Sequence, residues 1–432
     1  MFRQKWIHEW FLQMLERSRF RVESSSLALS KEWVLSDGAI RHRSNRFFKI
    51  VGAHWESPER KDIVQPFIEQ YEIGTLGFLI RRHENRRELL VQAKIEPGNV
   101  GIIQLAPTCQ ATASNASRVH GGDYPPCFEY FVQGDPNIAY ESMQSEQGTR
   151  FLGKRNRNVL RIANEPVSER CSHKWLQVEE VLDLLLVNHL VNTDARSVLV
   201  CSPWEELVGR TPFTRYWSGF GAELLHSLRG STPTKDLEEV RSEINTLRHM
   251  TNAPEIVSLD SLQDWKITDD GVAPRNMGPF IVRQISVEAR GREVSKWDQP
   301  IVDSNGEGRV DIVCGRIDGT LHFLFRPYAE AGLYHRVELG PTLVKEPGCN
   351  GDMDASIGYS DAVVRAECRQ SEEGGRFFRD INHYRIVDVG EAPEAPSGWR
   401  WLTLAQIRVL LDEDGWFTNE ARGVLALLLP WL

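Results

Sequence analysis

The feature that most constrains this 432-residue sequence is that it repeats itself. The stretch EPGNVGIIQLAPT at residues 96–108 returns as EAGLYHRVELGPT at 330–342, with Glu96, Gly98, Leu105, Pro107 and Thr108 matched by Glu330, Gly332, Leu339, Pro341 and Thr342. An offset of 234 carries Gln65-Pro66 onto Gln299-Pro300 and needs no gap as far as Thr342. Upstream, an offset of 232 aligns Trp33 with Trp265 and Phe48 with Phe280. Downstream, 226 aligns Gly148, Arg150 and Phe151 with Gly374, Arg376 and Phe377, Trp175-Leu176 with Trp401-Leu402, and Ala195-Arg196 with Ala421-Arg422. Two long copies are not a solenoid, which stacks many short units. They are a tandem duplication of a domain of roughly 200 residues, an ordinary domain size.

The copies differ where the offset changes. The second is eight residues shorter, and the deletion falls where SNASRVHGGDYPP stands in the first. The division expected is a first repeat over 1–203, a connector over 204–234 and a second repeat over 235–432. Each repeat reads as mainly strand with closing helices. Trp6, Trp10, Phe11, Met14 and Leu15 predict an amphipathic helix over 5–17. Strand patterns cover 46–55, 75–80, 88–95 and 99–105, with a hairpin turn at 83–87 and a stop at Pro107. Glu129-Tyr130-Phe131 reads as the start of another strand. A 3.6-residue period from Leu176 to Leu186 predicts a helix, and 236–250 predicts one more. The Gly, Ser and Pro residues of 202–234 read as a partly packed loop.

A formal charge of −9 gives no basic face for nucleic acid, and short basic clusters such as Arg81-Arg82 read as solvated surface. Seven cysteines without CxxC spacing argue against a disulfide framework or a zinc site and fit a reducing cytoplasm. The N-terminus lacks a signal-peptide core, and the final VLALLLPWL is shorter than the ~18 apolar residues of a membrane span. No phosphate loop, dinucleotide fingerprint, nucleophile elbow or HExxH occurs, and no cluster has metal-ligand spacing.

What remains is a polar set in the first copy: Lys94, Glu96, Gln104, Thr108, Gln110, Thr112, Ser114, Asn115, Arg118 and His120. Gln104, Thr108, Gln110 and Thr112 share parity, so an extended chain would aim them at one face, either a hydrogen-bonding row for a polyhydroxylated ligand or a solvated strand edge. Arg118 suits a diphosphate, and His120 suits proton transfer near neutral pH.

The segments FFKIVG, VQPFI, LGFLI, LLVQAKIEPGN, IIQLAPTCQAT-SNASRVHGG and FEYF in the first copy, with GREVSKWDQPIV, IDGTLHFLFRPYAEAG and RVELGPT in the second, resemble the NDP-hexose 2,3-dehydratase family. The resemblance spans nearly the entire chain. One departure is SNASRVH where the family usually has SNYTRVH, which places Ala116 at an aromatic position. The resemblance implies an α+β fold of two Nudix-like halves, although neither half has a Nudix box and so neither has its magnesium cage. It also implies a homodimer, two nucleotide-sugar pockets of which one is active, a cytoplasmic location and a dTDP-linked 4-keto-6-deoxyhexose substrate. No cofactor or metal is expected for the dehydration itself, and a ketoreductase using NADPH would act next.

On that footing the catalytic candidates are His120, Glu96 and Glu129. The substrate-binding candidates are Gln65, Lys94, Gln104, Thr108, Asn115, Arg118 and Arg150. Arg292, Gln299, Glu338, Thr342 and Arg376 would line a second, vestigial pocket. A nucleotide-sugar hydrolase and a non-catalytic sugar-nucleotide sensor are the competing readings.

Overall fold

A computed structural model describes residues 5–56, 62–112, 124–230, 234–290, 295–347 and 362–432. His120, Asn115, Arg118 and Arg292 lie outside these residues. The fold is α+β and is assembled twice from the same pieces. The first helix, α1 (Lys5–Ser18), buries Ile7, Trp10 and Phe11 on its apolar stripe. After β1 (Arg21–Ser24), a small sheet is formed by β2 (Trp33–Ser36), β3 (Ala39–His42), β4 (Lys49–Trp55) and β5 (Ile63–Glu69). The main sheet follows with β6 (Gly74–His83), β7 (Arg86–Ile95), β8 (Ile103–Ala106), β9 (Cys109–Thr112) and β10 (Ile138–Ser145). The chain then returns to the small sheet in β11 (Phe151–Leu152), completes the main sheet with β12 (Arg155–Ile162) and β13 (His173–Gln177), and closes with α2 (Val178–Leu184) and α3 (Thr193–Cys201).

The connector contains two helices, α4 (Trp204–Val208) and α5 (Phe220–Arg229), rather than a loop, because Trp204, Leu207, Phe220 and Leu224 bury one face of each. Helix α6 (Thr234–Met250) leads into the second repeat. Its first strands are β14 (Glu255–Val257), β15 (Trp265–Thr268), β16 (Gly271–Pro274), β17 (Phe280–Glu288) and β18 (Lys296–Ser304). Its main sheet comprises β19 (Glu307–Ile317), β20 (Thr320–Ala329), β21 (Val337–Gly340), β22 (Leu343–Lys345), β23 (Val363–Ser371), β24 (Ile381–Glu391) and β25 (Arg400–Thr403). Helices α7 (Leu404–Leu411) and α8 (Asn419–Leu425) complete it.

The two main sheets have one topology. The first runs β10-β12-β6-β7-β13 and the second β23-β24-β19-β20-β25, with β12 parallel to β6 and β24 parallel to β19. In each, the long hairpin splays open. Strands β6 and β7 pair only from Leu79 and Leu90 to the turn; beyond that, β9 pairs with β6 and β8 with β7. Pro107-Thr108 links the two inserted strands at the point of the fork. There the Thr108 hydroxyl accepts from the Leu79 amide at 2.9 Å and donates to the Leu90 carbonyl, replacing the ladder rung that the split removes. Thr342 does the same between Val313 and Leu324 in the second repeat. The recurring Pro-Thr of the sequence is therefore a strand splice.

The repeats interlock. Strand β1 of the first pairs with β17 of the second, and β14 of the second pairs with β4 of the first, so each lends a strand to the other's small sheet. The EPG and EAG turns make a second clasp. The Gly98 amide donates to the Gly374 carbonyl at 2.7 Å, and the Gly332 amide to the Gly148 carbonyl at 2.9 Å. A β-carbon at Gly98 would overlap the Phe377 carbonyl, and one at Gly332 the Phe151 carbonyl. Glycine is needed here for close approach.

Between the main sheets, α3 and α8 pack on each other and on β6, β12, β19 and β24, giving one continuous core. The Ala-Arg pairs found in the sequence sit here. Arg196 donates to the carbonyls of Leu185 and Val191, and Arg422 to those of Phe417 and Ser145. The terminal apolar run is core as well: Leu425 through Leu429 are at most 1% exposed.

Three local expectations are corrected. Residues Phe128–Phe131 form a single 3-10 turn instead of a strand, with Phe131 buried against Leu79 and Cys109. Residues 99–102 form a turn, with Ile102 at φ 72°, so the strand begins only at Ile103. Trp175 and Leu176 lie in β13, paired with β7, and the helix begins at Val178.

Candidate functional site

The interlock sets a cleft over the second repeat's main sheet, roofed by a loop of the first, and the duplication puts the matching residues and the matching loop of the second repeat at the equivalent place over the first main sheet, termed the first cleft. The second cleft is lined by Val310, Val344, Glu346, Asp380, Asn382 and Glu420 of its own repeat, with Gln147, Thr149 and Arg150 arriving from the first. By the offsets read in the sequence, the first cleft has Leu76, Gln110, Thr112, Lys154, Asn156 and Asp194 at those positions, with Glu373, Gly375 and Arg376 arriving from the second.

Each roof loop is fixed by a residue that the duplication singled out. Gln65 donates its amide to the Thr149 carbonyl, and Gln299 donates to that of Gly375, both at 2.7 Å. The arginine that follows stacks on an aromatic ring of the opposite repeat: Arg150 lies 4.3 Å above Phe280, and Arg376 lies 4.1 Å above Phe48. The expectation for these two residues is thus reversed. Arg150 serves the second cleft and Arg376 the first, because the loops cross between repeats.

In the first cleft, Lys94 lies 3.7 Å from Glu96 and donates to the Gln110 carbonyl at 3.1 Å. The Gln110 amide donates to Glu96 Oε1 at 3.3 Å, while Glu96 Oε2 is buried without a hydrogen-bond partner among the described residues. Asn156 and Asn419 donate to the two oxygens of Glu146. The Lys154 ammonium donates to the Glu72 carbonyl. Burial raises the Asp194 carboxyl well above its usual range, with help from Glu146, Glu373 and Glu96. Burial also raises Glu146, against Lys154 and Arg422, and lowers Lys154. Glu373 is pushed up to about 7, first by burial and then by the charge of Glu96, with Arg376 opposing and Glu146 adding. The cleft therefore holds four acids and three cations that share charge in a poorly solvated space, an arrangement suited to moving protons.

The clefts differ in chemistry. In the second, Arg150 is tied to Glu346 by a 2.7 Å salt bridge, and Asp380 replaces Lys154. In the first, Thr112 stands at the place of Glu346. Arg376 donates to Gln70 Oε1 at 3.2 Å and to the Gly375 carbonyl, and has no salt-bridge partner among the described residues.

A family model described as NDP-hexose 2,3-dehydratase matches residues 4–202 and 238–428, the two repeats in turn. The chain belongs to the NDP-hexose 2,3-dehydratase family. Its curated relatives include proteins named dTDP-4-dehydro-6-deoxy-alpha-D-glucopyranose 2,3-dehydratase. The protein from Streptomyces violaceoruber is 34% identical, covering 97% of this chain and 95% of the relative. Those from Saccharopolyspora spinosa and Amycolatopsis orientalis are 32% and 30% identical, covering 98% and 97% of this chain and 90% and 89% of the relatives.

Set against this sugar-nucleotide dehydratase family, the residues nominated from sequence divide by position. Lys94 and Glu96 are in the first cleft. Gln104 is not; it is fully buried and donates to Ser371 across the repeats at 2.8 Å, and its counterpart Glu338 accepts from Ser145. Thr108 and Thr342 splice strands, and Gln65 and Gln299 hold loops. Pro107 breaks the expected parity row, so only Gln110 and Thr112 continue it toward the cleft. Glu129 lies beyond the opposite face of the main sheet, exposed and 3.9 Å from Arg170. Glu146, Lys154, Asp194 and Glu373 were missed by sequence reasoning. The signal available for Glu373 was its mismatch with Gln147, one of two differences between QSEQGTRF and QSEEGGRF.

Proposed function

We propose that this chain dehydrates a dTDP-linked 4-keto-6-deoxyglucose at C2 and C3, and that the reaction takes place in the first cleft. The observation that carries the choice of cleft is the contrast between its Arg376, without a salt-bridge partner among the described residues and accompanied by Lys154, and the Arg150–Glu346 pair beside Asp380 in the second. An anionic diphosphate and a developing enolate both need positive charge that is not already neutralised.

The C4 ketone acidifies the C3 proton. Its removal gives an enolate, which expels the C2 hydroxyl, and the resulting enol tautomerises to a 3,4-diketone. The protein has to supply a base, an acid and donors at the C4 oxygen. Glu96 and, from the sequence, His120 are nominees for proton transfer, with Asn115 and Arg118 as ligand contacts. The enzyme would work as a cytoplasmic homodimer in deoxysugar assembly for a natural product, ahead of a ketoreductase that consumes the labile diketone. Family resemblance supports this setting.

The test is incubation of the purified protein with dTDP-4-keto-6-deoxyglucose and a 3-ketoreductase. A 2-deoxy sugar nucleotide is the expected product. Released dTMP would indicate a hydrolase, and saturable binding without either product a sensor.

A further inference from the structure

The two repeats carry acids at three matched positions: Glu96 and Glu330, Glu146 and Glu372, Asp194 and Glu420. At a fourth position they part. The roof loop of the second cleft presents Gln147, which cannot ionise, whereas the roof loop of the first presents Glu373. This loop is clamped at both ends of its turn. The Gly374 carbonyl accepts from Gly98, the Gly375 carbonyl accepts from Gln299, and the Gly375 amide donates to Glu373 Oε1 at 3.1 Å. Glu96 also has one oxygen committed, in its case to the Gln110 amide and the Lys94 ammonium.

We propose that Glu373, a residue of the second repeat, is the base that removes the C3 proton in the first cleft. This role rests on the dehydratase reading above. The carboxylate takes the proton, and the C3–H electron pair forms the enolate. As the enolate collapses, the C2–O bond breaks and the new carboxylic acid protonates the leaving hydroxyl. Water departs, and the carboxylate is restored. No oxidant or reductant is needed. The groups facing Glu373 are Glu96 and Lys94 at the end of β7, Glu146 after β10, Lys154, Asp194 on α3, and Arg376 on its own loop. Burial and the neighbouring acids hold the carboxyl near neutrality, where a proton carrier is most effective.

The decisive substitution is Glu373→Gln, which gives the first cleft the side chain of the second and keeps an oxygen for the Gly375 amide. Turnover should fall by about 10²–10⁴-fold while dTDP binding stays within about threefold. Deuterium uptake at C3 from D2O should be lost, and Glu373→Asp should recover part of both. The ascending limb of the wild-type kcat/KM profile near pH 7 should vanish in the residual activity of the Gln variant. Retained turnover, or retained C3 exchange, in a Gln variant that binds dTDP overturns the role of Glu373 alone. A wild-type protein that binds dTDP yet neither exchanges C3 nor eliminates water overturns the dehydratase reading, and this role with it.

Discussion

Arg376, a residue of the second repeat, lies 4.1 Å above the ring of Phe48 in the first and donates to Gln70 of that same repeat. Burial lowers its affinity for its proton, with Glu373, Glu96 and Glu72 opposing that shift. Replacing Arg376 with Ala should reduce kcat/KM by about 100-fold, mainly through KM, the loss expected when a charged ligand contact is removed. Arg150→Ala should leave kcat/KM within about threefold. Steady-state kinetics on the two variants decide the matter, and equal losses would mean that both clefts, or the other one, carry the reaction.

Thr108→Val should destabilise the fold by about 2–4 kcal/mol, because it strands the Leu79 amide and the Leu90 carbonyl in the core. Thr108→Ser keeps the hydroxyl and should recover most of that loss. Denaturant unfolding measures both. A Val variant as stable as the wild type would show that the fork does not depend on this splice.

Gly98→Ala and Gly332→Ala should each lower the melting temperature by several degrees, since the new methyl group meets a backbone carbonyl of the opposite repeat. Gly101→Ala is the contrast. Its φ of 75° is strained for alanine, but nothing lies near the added carbon. Its cost should stay near 1 kcal/mol. Thermal melts that rank Gly101 with the other two would remove the clasp as an explanation.

Burial pushes the Glu338 carboxyl up to about 7, with the Ser145 hydroxyl pulling the other way. The folded state therefore favours its protonated form. The stability it contributes is fully present below about pH 4.5 and is lost as pH rises through 7. Glu338→Gln installs the amide found at Gln104 and should make the melting temperature at pH 8 higher than that of the wild type. It should also flatten its dependence between pH 5 and 8. Parallel curves for the two proteins would refute this assignment.

The sequence made the repeat legible, and with it the doubled sheets, because Gln-Pro, Pro-Thr, Trp-Leu and Ala-Arg all hold structural posts that both copies need. Gln65, Thr108 and Gln299 drew notice as binding residues for the same reason. A polar residue retained in two copies can serve a backbone carbonyl as well as a ligand, and spacing does not distinguish the two. The crossing of the roof loops was not legible. Nothing local to Arg150 or Arg376 records which sheet the loop will cover, since that is decided by the glycine clasps and the exchanged strands. Glu129 misled because its segment was read as extended, whereas the packing of Phe131 against Leu79 turns it onto the far face.

The exchange of β1 and β14 has a consequence for descent. Two separate copies of one such repeat could close around each other with the same traded strands, forming a symmetric pair with two identical sites. Fusion into one polypeptide lets the partners diverge without losing each other. Each half then carries mutations expressed in the other half's cleft, so a change from Gln to Glu in the later copy would alter the chemistry of the earlier one. Swapping whole repeats between relatives should therefore transplant a floor without its roof, and chimaeras joined at the connector would inherit the properties of neither parent site.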